Sequence, residues 1–291
     1  MQTAARRVLA DGMHGTVLAT FRRCFYIEDD AGGLACIGNE SIGAGPLNAT
    51  VRGTGDFQVP AVRTPAWVDG ATLYIGDRLV LDLTGATDWL PNPVPANWTT
   101  ATVSAGLDFL AGISRNKLPG DGLGRLIPVL IDARQPRAED FDFPIGRLAQ
   151  TPINKLRTWV EGEPPAEACG LVGLGPGLTP SGDDFLGGML IALRALGRDD
   201  MADQLGDLVL PIARKKTGKI SAAHLSCACT GMGAAALHGL IGAIMTGDLA
   251  AISCGLDDVG DIGHSSGWDA TAGAVCALTM TTTKTWRNTK C

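Results

Sequence analysis

The chain has 291 residues, 45% of them hydrophobic and 19% charged, with a net charge of −6 at neutral pH. That length buries a large core without covalent staples and suits two domains or one large one. The acidic balance, with no basic run longer than Arg214-Lys215-Lys216, argues against nucleic acid as a partner.

The first ninety residues read as a β-rich unit. The opening ten residues lack the apolar core of a secretion signal. The eight cysteines (Cys24, Cys36, Cys169, Cys227, Cys229, Cys254, Cys276 and Cys291) are therefore expected as reduced thiols in a cytoplasm. No CxxC pair occurs, so a zinc site is not expected. Residues 16–28 are rich in β-branched and aromatic side chains, and 33–37 follow a turn-forming Asp29-Asp30-Ala31-Gly32; this predicts two strands and a turn. Gly43, Gly45 and Pro46 make 39–48 a loop. Asn48, at its end, is a candidate anion contact. Residues 67–75 and 78–83 flank Gly76-Asp77, a pair suited to a tight hairpin turn.

Pro91-Asn92-Pro93-Val94-Pro95 reads as an extended linker. It divides the chain into a β-rich domain of antiparallel strands, 1–95, and a mainly α-helical domain, 96–291, an α+β protein. Helical lengths occur at 99–113 and 145–161, with 126–131 between them open to a strand. Past residue 181 helices are expected almost throughout, near 182–196, 200–214, 220–238, 239–253 and 267–281. The most apolar run, 232–245, is short of the roughly 20 residues that span a bilayer, so no membrane is expected as a partner.

The densest run of special residues is GLGPGLTPSGDDFLGG, 173–188. Glycines lead into Thr179-Pro180-Ser181-Gly182-Asp183-Asp184, and an apolar helix follows. Thr179 as N-cap places Pro180 at the first helical position, while Ser181 as N-cap makes a capping box with Asp184. Either start presents free backbone N–H groups and a positive dipole end. The plain reading is that Asp183 and Asp184 neutralise that dipole. The functional reading is an anion site formed with Gly175, Gly177, Thr179, Ser181 and Gly182. Two carboxylates repel an anion, unless Mg²⁺ bridges them to it or only one of them faces the site, since successive helical residues point about 100° apart. There is no Walker or dinucleotide pattern.

A second stretch repeats this one at an offset of 85 residues. Ser266-Gly267-Trp268-Asp269 followed by Gly273 matches Ser181-Gly182-Asp183-Asp184 followed by Gly188. Glycine one turn inside a helix is costly relative to alanine, so close helix approach near Gly188 and Gly273 is expected. That would bring both helix starts into one pocket. Two independent capping motifs are the alternative.

Lys219 and Ser221, in KISAAHL, form a third candidate, Ser221 as a cap and Lys219 facing an anion. His224 and His238, 14 residues apart, would share a face of an unbroken helix, which Gly231 and Gly233 make doubtful; without a third ligand they read as packing residues. His264, beside Ser265 and Ser266, is the candidate general acid or base.

Together GLGPGLTPSGDDFLGG, KISAAHL and IGHSSGWDATAG, with the opening FRRCFYIEDD and SIGAGPLN, resemble the AllH-type subunit family of oxamate carbamoyltransferase. The resemblance implies a role in purine-derived nitrogen salvage (allantoin degradation), interconverting oxalurate and phosphate with oxamate and carbamoyl phosphate, as one component of a multi-subunit enzyme. Small anions of that kind suit helix N-termini. The glycine motifs hold no arginine to clamp a carboxylate; Arg214, Lys216, Lys219 or another subunit would supply that charge. The roles expected are catalysis by His264, Asp184 and Ser266, and anion binding by the hydroxyls and backbone named above with Ser265, Gly267 and Asp269; Asp183 and Asp184 are the candidate ligands for Mg²⁺. The rivals are a non-catalytic scaffold subunit and a Mg²⁺-dependent enzyme of a phosphorylated metabolite.

Overall fold

The computed structural model describes residues 3–52, 59–132 and 136–281. Cys291 lies outside them. The described chain is an α+β protein that divides into two compact units, 1–91 and 92–291.

The first unit begins with a short helix, α1 (Ala4–Val8), and continues with seven strands: β1 (His14–Thr20), β2 (Cys24–Asp29), β3 (Leu34–Asn39), β4 (Asn48–Val51), β5 (Pro65–Asp69), β6 (Thr72–Ile75) and β7 (Leu79–Asp82). They form one sheet in the order β4-β3-β2-β1-β5-β6-β7. Every pairing is antiparallel except β3 with β4. Alternation decides the faces. Phe25 and Ile27 on β2, Ala35 and Ile37 on β3, and Leu73 and Ile75 on β6 are buried together with Val8 of α1 in one apolar cluster.

Two expectations fail here. Residues 16–28 form two strands, because the chain reverses at 21–23, where the Phe21 amide donates to the Cys24 carbonyl. Residues 67–75 also split, at Gly70-Ala71, with Asp69 facing Thr72 and Gly70 at φ +58°. The Asp-Gly dipeptide there is a hairpin signal. The loop before Asn48 contains a 3₁₀ turn, Glu40–Ile42, and leads into the parallel strand β4. The Asn48 side chain is engaged locally, donating to the carbonyls of Ile42 and Gly43.

The second unit holds α2 (Thr100–Ser114), α3 (Ile127–Ile131), α4 (Pro144–Thr158), α5 (Ser181–Ala195), α6 (Asp199–Lys216), α7 (Lys219–Cys229), α8 (Ala235–Thr246), α9 (Leu249–Gly260) and α10 (Ser266–Met280). Residues 126–131 are thus 3₁₀ and α-helix rather than strand. Proline at the second helical position fits a helix start. The expected helix 220–238 is broken between α7 and α8, where Gly231 adopts φ +75°. Its second half begins a new helix at Ala235. No described helix is long and apolar enough to cross a membrane.

The centre of this unit is the pair α5 and α10. Both are buried along most of their length, with Phe185, Leu186, Met189 and Leu190 set against Ala272, Val275, Cys276 and Met280 in one core. Their backbones touch. A Cβ on Gly188 would stand 1.8 Å from the Ala270 carbonyl oxygen, and one on Gly273 would stand 1.8 Å from that of Phe185. No side chain fits at either position, which explains glycine one turn inside both helices.

Candidate functional site

Because α5 and α10 touch backbone to backbone, their first turns adjoin. The hydroxyls of Thr179 and Ser266 lie 2.8 Å apart. The two SG-x-D motifs are also cross-linked. The Asp184 carboxyl bonds the hydroxyls of Ser266 and Thr179, and the Asp269 carboxyl accepts from Ser181. Each helix start thus offers a serine to the aspartate of the other.

This exchange overturns the capping expectation. The N-cap of α5 is Pro180, whose carbonyl accepts from both Asp183 and Asp184 amides, and no side chain caps it. Ser181 is the first helical residue. At α10 the N-cap is Ser265, and Ser266 is first. The serines face the partner helix because a carboxyl waits there. Ser221 is no cap either. α7 starts at Lys219 after Gly218, and Ser221 donates to Asp183 Oδ2 at 2.7 Å.

The neighbouring aspartates of α5 diverge, as the 100° step demands. Asp183, 3% exposed, turns towards α7. It accepts from the Gly173 amide at 2.8 Å and from the hydroxyls of Thr217 and Ser221. Both its oxygens are engaged by protein donors. Asp184 turns to α10. The residue as a whole is partly exposed, yet its Oδ2 is closed off from solvent and has no hydrogen-bond partner among the described residues. Burial, reinforced by the charges of Asp269 and Asp183, pushes its carboxyl well above the ordinary carboxylate range against the opposing pull of Ser266 and Thr179. Burial thus favours the neutral form of this group.

Asp269 is fully buried. Its Oδ1 accepts from the amides of Leu123 (2.5 Å) and Gly124 (2.9 Å), and its Oδ2 from the Ser265 hydroxyl at 2.9 Å. Burial raises its pKa, while Ser181, Gly124, Ser265 and Leu123 oppose the rise. These amides belong to a loop, Pro119-Gly120-Asp121-Gly122-Leu123-Gly124, that the motif reading overlooked. Its glycines were the available signal. A Cβ on Gly122, at φ +82°, would meet Asp269 Oδ1 at 2.6 Å, and one on Gly124 would meet Trp268. The same loop carries Asp121, whose Oδ1 lies 3.2 Å from His264 Nε2; both side chains are exposed.

Gly182 and Gly267 also have a steric role. A Cβ there would press within 2.0 Å of the Leu171 carbonyl oxygen and 1.9 Å of the Val259 carbonyl oxygen, respectively. Gly175 and Gly177 take φ +118° and +96°, conformations glycine tolerates. The amides of Gly177, Leu178 and Thr179 donate to no protein group among the described residues. Lys219 is exposed at the start of α7. His224 and His238 sit on different helices; burial lowers both pKa values to about 4, and His238 Nε2 accepts from the Gly233 amide. No group of three or more His, Cys, Asp or Glu able to hold a metal ion occurs among the described residues.

No curated protein and no solved structure matches the chain. Residues 171–278, which run from the turn before α5 nearly to the end of α10, match the family described as oxamate carbamoyltransferase subunit AllH, and the likeness is confined to this stretch.

Proposed function

We propose that this chain is a subunit of an oxamate carbamoyltransferase-like enzyme, and that it holds a small anion (carbamoyl phosphate, phosphate, oxamate or oxalurate) at the adjoining starts of α5 and α10. The observation that carries this reading is the Thr179–Asp184–Ser266 junction. Two helix N-termini supply partial positive charge, and hydroxyls from both helices meet there. The repulsion expected from neighbouring carboxylates is relieved in two ways. Asp183 faces α7 with its oxygens covered by three donors, and burial shifts Asp184 towards its neutral form, which donates rather than repels. His264, beside Asp121, is the candidate proton carrier at the edge of this junction. A cytoplasmic, hetero-oligomeric enzyme fits this role. Mg²⁺ fits the donor set poorly, because Asp183 has no oxygen left over.

The test is calorimetric titration of the chain, alone and with its partner subunits, with each of the four anions. Thr179→Ala and Ser266→Ala are each expected to weaken binding about tenfold, the loss of one hydrogen bond to a charged ligand. The scaffold reading has its own support in Asp183 and Asp269, which are saturated by internal donors. Absence of binding in every titration, with turnover of the assembled enzyme unchanged by both substitutions, would decide for the scaffold.

A further inference from the structure

In the N-terminal sheet, β2 and β3 place two thiols together. Cys24 lies opposite Gly38, and Tyr26 lies opposite Cys36. The cysteines are therefore diagonal neighbours on one face of the sheet, the face away from Phe25 and Ile27. Gly38 has no side chain of its own, and the Ile42 side chain packs over it. The Cys36 thiol donates a hydrogen bond to Cys24. Cys24 is partly exposed, and Cys36 is buried.

We propose that Cys24 and Cys36 form a dithiol site that hydrogen peroxide oxidises to a disulfide, with Cys24 attacking and Cys36 resolving. The Cys24 thiolate attacks one peroxide oxygen. The O–O bond breaks, one oxygen leaves as hydroxide, and Cys24 becomes a sulfenic acid. The Cys36 sulfur then attacks the Cys24 sulfur. The S–O bond breaks, and the departing hydroxide takes the Cys36 proton as water. Two thiols are oxidised to one disulfide, and the peroxide is reduced to two waters.

The division of labour follows from the surroundings. The hydrogen bond from Cys36 and the nearby Arg23 guanidinium lower the Cys24 pKa against the effect of burial, which favours the nucleophilic thiolate. Cys36 is held as a thiol by the bond it donates to Cys24 and by burial. Cys276, by contrast, is fully buried with its pKa pushed up to about 12, the setting of an inert packing thiol. Closing the diagonal pair requires the start of β2 to draw towards β3. That strand end adjoins the reversal at 21–23.

The experiment treats the full chain with hydrogen peroxide at neutral pH and maps the peptides over time. The expected first product is a Cys24–Cys36 disulfide, forming about tenfold faster than oxidation of the exposed Cys254 and reversed by dithiothreitol. Cys36→Ser is expected to stop at a Cys24 sulfenic acid that dimedone traps. Cys24→Ser is expected to leave Cys36 reduced while Cys254 reacts at its former rate. Oxidation of Cys254 ahead of Cys24, or a wild-type Cys24 that becomes over-oxidised without pairing, overturns the proposal. The wild-type map is decisive even if a variant folds poorly.

Discussion

The starts of α5 and α10 carry the same four-residue pattern, yet the two aspartates that occupy its last place differ. Asp269 is enclosed by two backbone amides and two hydroxyls. Asp184 has hydroxyl partners only and a buried Oδ2 with none. The difference comes from what lies beyond each helix start. At α10 the glycine-rich loop 119–124 folds over the carboxyl and supplies its amides. At α5 the neighbouring residue, Asp183, takes the corresponding role towards α7 and leaves Asp184 turned into the junction. One carboxyl therefore serves as a structural anchor. The other is shifted by burial towards its neutral form and keeps one oxygen without a partner among the described residues.

The largest expected effect tests the contact that makes the comparison possible. Gly188→Ala or Gly273→Ala drives a methyl group into a backbone carbonyl that cannot rotate away, and should cost about 3 kcal/mol or more. Gly187→Ala, whose nearest neighbour atom is 3.7 Å away, should be neutral or slightly stabilising. Urea unfolding of the three variants checks this. Equal losses at 187 and 188 would mean that α5 and α10 are not in backbone contact.

Next come the two carboxyls. Asp269→Ala strands the Leu123 and Gly124 amides in the interior and should cost about 2–3 kcal/mol. Asp184→Asn, which keeps the shape and gains a donor, should cost less than about 1 kcal/mol. If Asp184→Asn proves the more damaging, the assignment of anchor and binder is reversed.

The last test is a pH slope. The folded pKa of Asp184 is raised above its unfolded value of about 3.9. Its contribution to stability is thus fully present below that unfolded value and is lost as pH rises through the folded pKa. Asp184→Asn removes that loss. The stability difference between wild type and variant, followed by chemical unfolding from acid to neutral pH, should therefore shift in favour of the variant as pH increases. A difference that stays flat across the range would show that Asp184 titrates as an ordinary exposed carboxyl.

Much of this arrangement is legible in residue order. The recurrence of SG-x-D with a glycine four residues later identifies α5 and α10 as related, and glycine one turn inside each helix signals close approach. The α+β division follows from β-branched alternation before the prolines and helical lengths after them. The extra hairpin at Gly70 and the loop at 119–124 had signals too, an Asp-Gly dipeptide and a run of glycines. They were missed because short glycine turns look alike until something packs on them.

What the sequence alone determines about this protein is local: the periodicities, the glycines that only backbone contact can explain, and the placing of hydroxyls and carboxyls at helix starts. What only the tertiary structure decides is the partner of each polar group. Ser181 and Ser266 looked like caps because a cap is the nearest partner along the chain. In the folded protein each reaches a carboxyl on the other helix instead. Likewise Asp183 and Asp184 are adjacent in sequence, but the helical turn sends one to α7 and the other to α10. Hydrogen bonds and desolvation depend on distance in space, and that is why two aspartates side by side in the chain take opposite roles.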